Sequence, residues 1–182
     1  MPGWERRTFK LDANHKWTAK PGCQVFVADW GAVRFDVPRG WVPIAAATSI
    51  KICNKVPPAD DCTLEVSVTH LPPIDWSGMP LGWMLREAAG RERRGPVIWN
   101  GDLVEEKRGD LEIAWKPSRW LDPKERREAC SYICLARRKH TQILLTYDYW
   151  LDDEEQFSQV WPDVLETLRV GEQPPGLGRA GG

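Results

Sequence analysis

Val33-Arg-Phe-Asp-Val-Pro-Arg-Gly-Trp41 decides the fold. Val33, Phe35 and Val37 alternate with Arg34 and Asp36, and a period of two gives a strand with one apolar face. Pro38 ends it, because proline has no amide to offer a ladder, and Gly40 allows a sharp turn before Trp41. Upstream, residues 25–28 read as a second strand joined to the first through a turn at Asp29-Trp-Gly31. Such strands need a cover, and the far end of the chain supplies one. Phe157, Val160, Trp161, Val164, Leu165 and Leu168 recur at spacings of three and four, the stripe of a helix buried on one side. Pro162 falls inside that run, which predicts a kink or two short helices meeting near Trp161. The acidic stretch Asp152-Asp-Glu-Glu155 suits the positive end of a helix, where an Asp also caps free amides.

Between these ends, residues 46–55 read as a third strand. Residues 63–69 alternate cleanly, with Leu64, Val66 and Val68 opposite Glu65 and Ser67, the mark of a half-buried antiparallel strand. Leu81, Met84, Leu85 and Ala88 predict a helix capped by Asp75 or Ser77. Further strands are expected over 97–103, 109–116, 128–138 and 141–150. The last two are separated only by Lys139-His140, a tight hairpin. Ile143, Leu145, Tyr147 and Tyr149 then share one face.

The chain has 182 residues, enough for one domain with its own core. Lys and Arg total 25 against 26 Asp and Glu, a balance that argues against nucleic acid as the main partner. Residues 1–12 are charged and contain no apolar leader core, and the longest charge-free stretch, Trp41 to Ile50, is too short for a membrane helix. A soluble cytoplasmic protein without a membrane segment is expected. The five cysteines are odd in number, which fits reduced, mostly buried thiols. Cys53 and Cys62 could face each other across a hairpin, and a disulfide between them stays open. Cys130 and Cys134 fall on one strand face with Tyr132 and Ala136, a core position.

The strand leading into Phe-Asp-Val-Pro-Arg-Gly-Trp41, the strand and helix in the middle, the antiparallel strands, and the closing Phe157-Ser-Gln-Val-Trp-Pro-Asp-Val-Leu-Glu-Thr-Leu168 together resemble the Mog1/PsbP-like superfamily. The resemblance covers about residues 24–170. It implies an α+β single domain, a central mostly antiparallel sheet flanked by helices on both faces as an α/β/α sandwich. Residues 1–22 are then an N-terminal arm packed through Trp4 and Trp17, 23–171 the domain, and 172–182 a disordered tail. The superfamily is functionally mixed, and no functional residue of its known branches matches a position here.

No catalytic motif is found, and no metal or cofactor is expected. His15, His70 and His140 lack the paired spacing of a metal site, and His70 follows Val68 onto the apolar face of its strand. Gly176-Leu-Gly-Arg-Ala-Gly181 matches a dinucleotide fingerprint only as a string, with no strand before it. Basic runs at 91–94, 124–127 and 137–140, with Trp99 and Trp120 nearby, could meet phosphates and bases, but solvated faces explain them as well. Eleven tryptophans are the oddity. Trp41, Trp115 and Trp161 are in phase with core residues, whereas Trp76 and Trp120 lie in loop-like segments and are the candidate partner-binding residues; covering a sheet edge is the plainer role for both. The expectation is a non-enzymatic domain that binds a protein partner. The alternative is a small-ligand pocket between sheet and helix, and an enzyme comes third.

Overall fold

The computed structural model describes residues 17–91 and 95–172. The expectations for Trp4, His15, residues 92–94 of the 91–94 basic run, the glycine-rich string at 176–181 and the tail from 173 onward lie outside these residues. In chain order the elements are β1 (Cys23–Ala28), β2 (Val33–Pro38), β3 (Val42–Ala45), β4 (Ile50–Cys53), β5 (Cys62–His70), α1 (Leu81–Arg91), β6 (Val97–Asn100), β7 (Val104–Arg108), β8 (Leu111–Leu121), β9 (Glu128–Arg138), β10 (Thr141–Trp150), α2 (Glu154–Phe157), α3 (Val160–Thr167) and β11 (Arg169–Val170). Every described strand pairing is antiparallel. β1, β2 and β11 form a small sheet, and the rest form a larger one in the order β3-β4-β5-β10-β9-β8-β6, with β7 also on β8.

Period-2 alternation assigns the faces of the large sheet. Ile143, Leu145, Tyr147 and Tyr149 of β10 are buried on one face, beside Cys130, Cys134 and Ala136 of β9 and Ile113 of β8. Against that face pack the small sheet, through Val33, Phe35 and Val37, and α2 with α3, through Phe157, Val160, Trp161, Val164 and Leu165. The opposite face carries a smaller cluster in which Leu81 and Leu85 of α1 cover Ala114 and Leu135. The domain is therefore mostly strand, and the cover over its main core is a mixture of a second sheet and short helices rather than helices alone. Gly40, at φ 90, makes the turn that drops Trp41 into this core, where its ring lies 6.4 Å from Phe157. In the other motif position, buried Asp36 accepts the Lys20 backbone N–H at 2.7 Å, while Arg34 lies 4.8 Å over the Trp17 ring. The last residues of the arm are thus held to β2.

Several expectations are corrected. The strand expected over 46–55 is shorter, since β4 covers Ile50–Cys53 and residues 46–49 make the turn that joins it to β3 in a hairpin, with the Ala46 N–H donating to the Ser49 carbonyl at 2.9 Å. Pro43 is tolerated because β3 is an edge strand. The strand expected over 97–103 stops at Asn100, a separate strand, β7, which was not expected, follows from Val104, and β8 runs on to Leu121, past Pro117. Trp120 accordingly sits in a strand, between Val97 and Ala129, and not in a loop. Pro117 fits because its carbonyl accepts the Gly101 N–H at 3.0 Å, so its missing amide faces the break between β6 and β7. His70 is exposed at the end of β5, where it pairs with Asp29, instead of lying at the core margin. Asp75 closes a local turn on the Ser77 N–H and does not cap α1. The acidic run caps nothing either: Asp152 and Asp153 receive Arg127 at 3.2 and 3.5 Å.

The closing stripe forms two short helices, one of the two alternatives its proline predicted. They separate at Ser158-Gln159, and Pro162 is the third residue of α3. A first-turn amide has no helical partner, so proline there is nearly free of cost. Trp161→Ala is expected to lower the unfolding free energy by about 3 to 5 kcal/mol, against less than about 1 kcal/mol for Pro162→Ala, both read by urea denaturation.

All five cysteines are free thiols. Cys53 faces Thr63 across the β4–β5 ladder, so Cys62, one residue away, points to the other side of the sheet. Burial pushes every one of the thiols above its ordinary value. Only Cys23 is partly exposed. Ellman's reagent at pH 7.5 is expected to titrate Cys23 in the native protein, slowly, and the other four only in guanidinium.

Candidate binding surface

Where exposed apolar side chains gather is the first question to ask of a domain without catalytic motifs, because single ones are ordinary and clusters are not. Ten large hydrophobic residues are exposed among the described residues, and of these only Trp30 and Val56 lie outside the stretch from 74 to 121. The other eight divide by the elements that carry them. Ile74 and Met79, in the segment entering α1, precede Trp83 on the first turn of α1; Met79 and Trp83 are four apart. Val97, Ile98 and Trp99 form β6 with Asn100, and every residue of that strand is exposed. Leu121 follows at the end of β8, and Val104 begins β7.

The two tryptophans singled out in the sequence border these groups, and the structure does not bring them together. Trp76 is half-buried in the segment before α1, its Nε1–H donating to the Pro72 carbonyl at 3.0 Å. That segment is tethered from below by Arg137, a buried side chain that donates to the Met79 carbonyl at 3.0 Å and to Glu112 at 2.7 Å. Trp120 is half-buried beyond the other end of α1, a helix of 11 residues and so about 16 Å long. Its Nε1–H donates to the Ser131 hydroxyl at 3.1 Å, and Ser131 is bonded in turn to Asp148.

Trp120 walls a cavity of about 70 Å³ that Ala89 of α1, Val97 and Asn100 of β6, Lys116 and Ser118 of β8, and Ile133 of β9 also line. Among the described residues Lys116 is its one charged lining residue, and none of those lining it is a carboxylate. Trp99 projects to the other face of β6, where Arg119 lies 5.8 Å from its ring. β6 thus shows apolar groups on both faces and leaves one edge without a neighbour among the described residues.

The groups most shifted in their titration are elsewhere. Burial drives Cys62, Cys134, Tyr147 and Tyr149 upward, and all four are packed in the core rather than gathered in a cleft. No group of three metal-ligating side chains occurs among the described residues. In the two described basic runs, the arginines next to the sheet are engaged within the molecule. Arg137 is held by Glu112, Arg138 by Asp110 and Glu172, and Arg127 by Asp152 and Asp153 while it lies 4.7 Å over the Trp150 ring. No helix among the described residues is long and apolar enough to cross a membrane.

Trp83, Val97, Ile98 and Lys116 were not among the sequence candidates, and Trp99 was one only as a ring beside the basic runs. A signal was present for two of the elements. Trp83 is off the stripe of Leu81, Met84, Leu85 and Ala88, and three consecutive apolar residues in a strand cannot all face one core.

Comparison with known proteins follows the same line as the geometry. Among solved structures the chain is similar to a Bacteroides thetaiotaomicron protein, with a TM-score of 0.56 and 11% identity over 84% of this chain and 50% of that one, so it spans half of that protein's length. It is similar to the cyanobacterial PsbP (CyanoP) of Synechocystis sp. PCC 6803, with a TM-score of 0.56 and 12% identity over 82% of this chain and 92% of that one. It is 40% identical over 169 residues, 92% of this chain and 88% of the relative, to the uncharacterised protein alr1449 of Nostoc sp. PCC 7120. The family model Alr1449 matches residues 24–173, which begins at β1 and ends after β11. A mostly antiparallel PsbP-like domain closed by α3 and β11, this chain belongs to the Alr1449 family.

Proposed function

We propose that this domain is a non-enzymatic, cytoplasmic protein-binding module, and that its partner covers the apolar rim formed by β6 and the neighbouring end of β8. The observation that carries the reading is the exposure of Val97, Ile98 and Trp99, each about half open to solvent, on consecutive positions of one edge strand. A soluble domain gains nothing in stability from three such side chains in water, whereas a partner that covers them removes apolar area at about 25 cal/mol per Å². Trp76 and Trp120 act in this reading as fixed borders, each held by its indole hydrogen bond. In this reading α1 covers part of one face of the large sheet and the small sheet with α2 and α3 covers the other, which leaves the β6 rim open to a partner.

The other readings draw less support. A small-ligand site usually offers about 300 to 1,000 Å³, several times the 70 Å³ beside Trp120. Arginines already bound to carboxylates are poor phosphate contacts, which weighs against nucleic acid. The odd number of cysteines suits a compartment that keeps thiols reduced.

The test is affinity capture from native cell lysate, with bound proteins and small molecules both identified by mass spectrometry. Wild-type protein is expected to retain a protein that Trp99→Ala and Val97→Ser each release about 30-fold more readily, the loss of a hot-spot contact of about 2 kcal/mol. Their melting temperatures should stay close to wild type, since both residues are exposed. A metabolite retained in place of a protein, or capture indifferent to both changes, rejects the reading.

A further inference from the structure

We propose that the partner binds by adding an extended strand to the free edge of β6 and placing a glutamate side chain in the adjoining cavity against Lys116. This rests on the protein-binding reading above and gives it a partner chemistry. The first ground is the state of the edge. The Gly101 N–H points at β8, and residues alternate along a strand, so the amide and carbonyl of Asn100 point outward. The other edges of the large sheet are blunted. β7 carries Glu105-Glu-Lys-Arg108, and β3, at the far side, carries Pro43. Charges and prolines are among the ways edge strands resist pairing, and β6 has neither; its only blunting features are its four-residue length and one register shift between Val97 and Trp99.

The second ground is the cavity and its charge. Recognition by strand addition draws affinity from main-chain hydrogen bonds and selectivity from pockets that take alternate side chains. The cavity lies between β6, the end of α1 and the sheet, on the side where alternate residues of an added strand would point. Lys116 has no ion-pair partner among the described residues, and Asp148 is turned to Ser131. An added strand would lie two interstrand spacings from β8, about 10 Å from the Lys116 backbone. A lysine reaching outward and a glutamate reaching inward meet over β6, with Asn100 and Ser118 beside them as further donors. An aspartate falls short, and a basic side chain is repelled.

A random octapeptide display library selected on the purified full-length protein tests this. The expected result is enrichment of alternating apolar peptides with glutamate at one fixed position. Lys116→Glu should exchange that preference for lysine or arginine, with at least a tenfold loss for the original peptides, and Lys116→Ala should abolish the preference without reversing it. Ile98→Pro should reduce binding at least tenfold, and Ile98→Lys gives a second edge variant that leaves the backbone amide in place. Each variant's thermal melt reports whether it is folded. Enriched peptides without an acidic position, or peptides indifferent to Lys116→Glu, overturn the proposal. A concentration-dependent dimer in sedimentation that Ile98→Lys dissociates overturns it as well, by assigning the edge to a second copy. Failure to enrich any peptide rejects strand addition, while the lysate capture judges the broader reading independently.

Discussion

The structure depends on one ring. Trp161, almost fully buried, lies 5.1 Å from the ring of Tyr132 and 6.1 Å from that of Tyr147, within 11° of parallel to the latter, with Trp115 set edgewise at 6.1 Å. Through these contacts a helix of eight residues is fixed to three strands of the large sheet. So short a helix has little stability of its own and takes it from such packing. Its placement requires the break before it. The Tyr147 hydroxyl donates to the Phe157 carbonyl at 2.8 Å, satisfying a group that the end of α2 leaves without a helical partner. The same hydroxyl receives the Cys62 thiol at 3.2 Å, so β5 and β10 share the anchor. Once α3 is in place, the chain returns through β11 to β2, and the small sheet closes over the core.

Side-chain alternation made the faces of the sheet readable, because a half-buried strand cannot move its apolar residues without turning over every one of them. The grouping of Cys130, Cys134, Tyr132 and Ala136, and the burial of the closing stripe, follow from spacing alone. What spacing does not contain is the identity of a strand's neighbours. Pro43 looks like a breaker until β3 is known to be an edge. Pro117 does too, until the edge strand is known to break opposite it, and that is why Trp120 reads as a loop residue. β7 has no alternation to read, being charged and exposed along nearly its whole length. The apolar rim was hidden for the same reason: Val97, Ile98 and Trp99 look like buried strand, and only the order of strands shows that nothing described covers them.

Charge follows a comparable division. The excess of one acidic group over the bases conceals an arrangement in which most arginines near the sheet are spent on internal partners. Arg108 belongs to this set, donating to the Leu165 carbonyl at 2.6 Å, so a residue of an exposed edge strand also ends α3. Counting basic residues in sequence suggested a surface. Their geometry makes them ties between elements. Lys116 differs from them, and it lines a cavity beside the free edge.

The guanidinium of Arg137, bound to Glu112 and to the carbonyl of Met79, bears on how the neighbouring apolar segment behaves. Releasing that carbonyl would leave a buried guanidinium N–H without its acceptor, which costs about 1 to 3 kcal/mol even with the Glu112 pair intact. The stretch holding Ile74, Trp76 and Met79 is therefore bolted to the sheet as an anvil rather than hinged like a flap. Whatever settles there meets a surface already in shape, and surrenders little entropy to it.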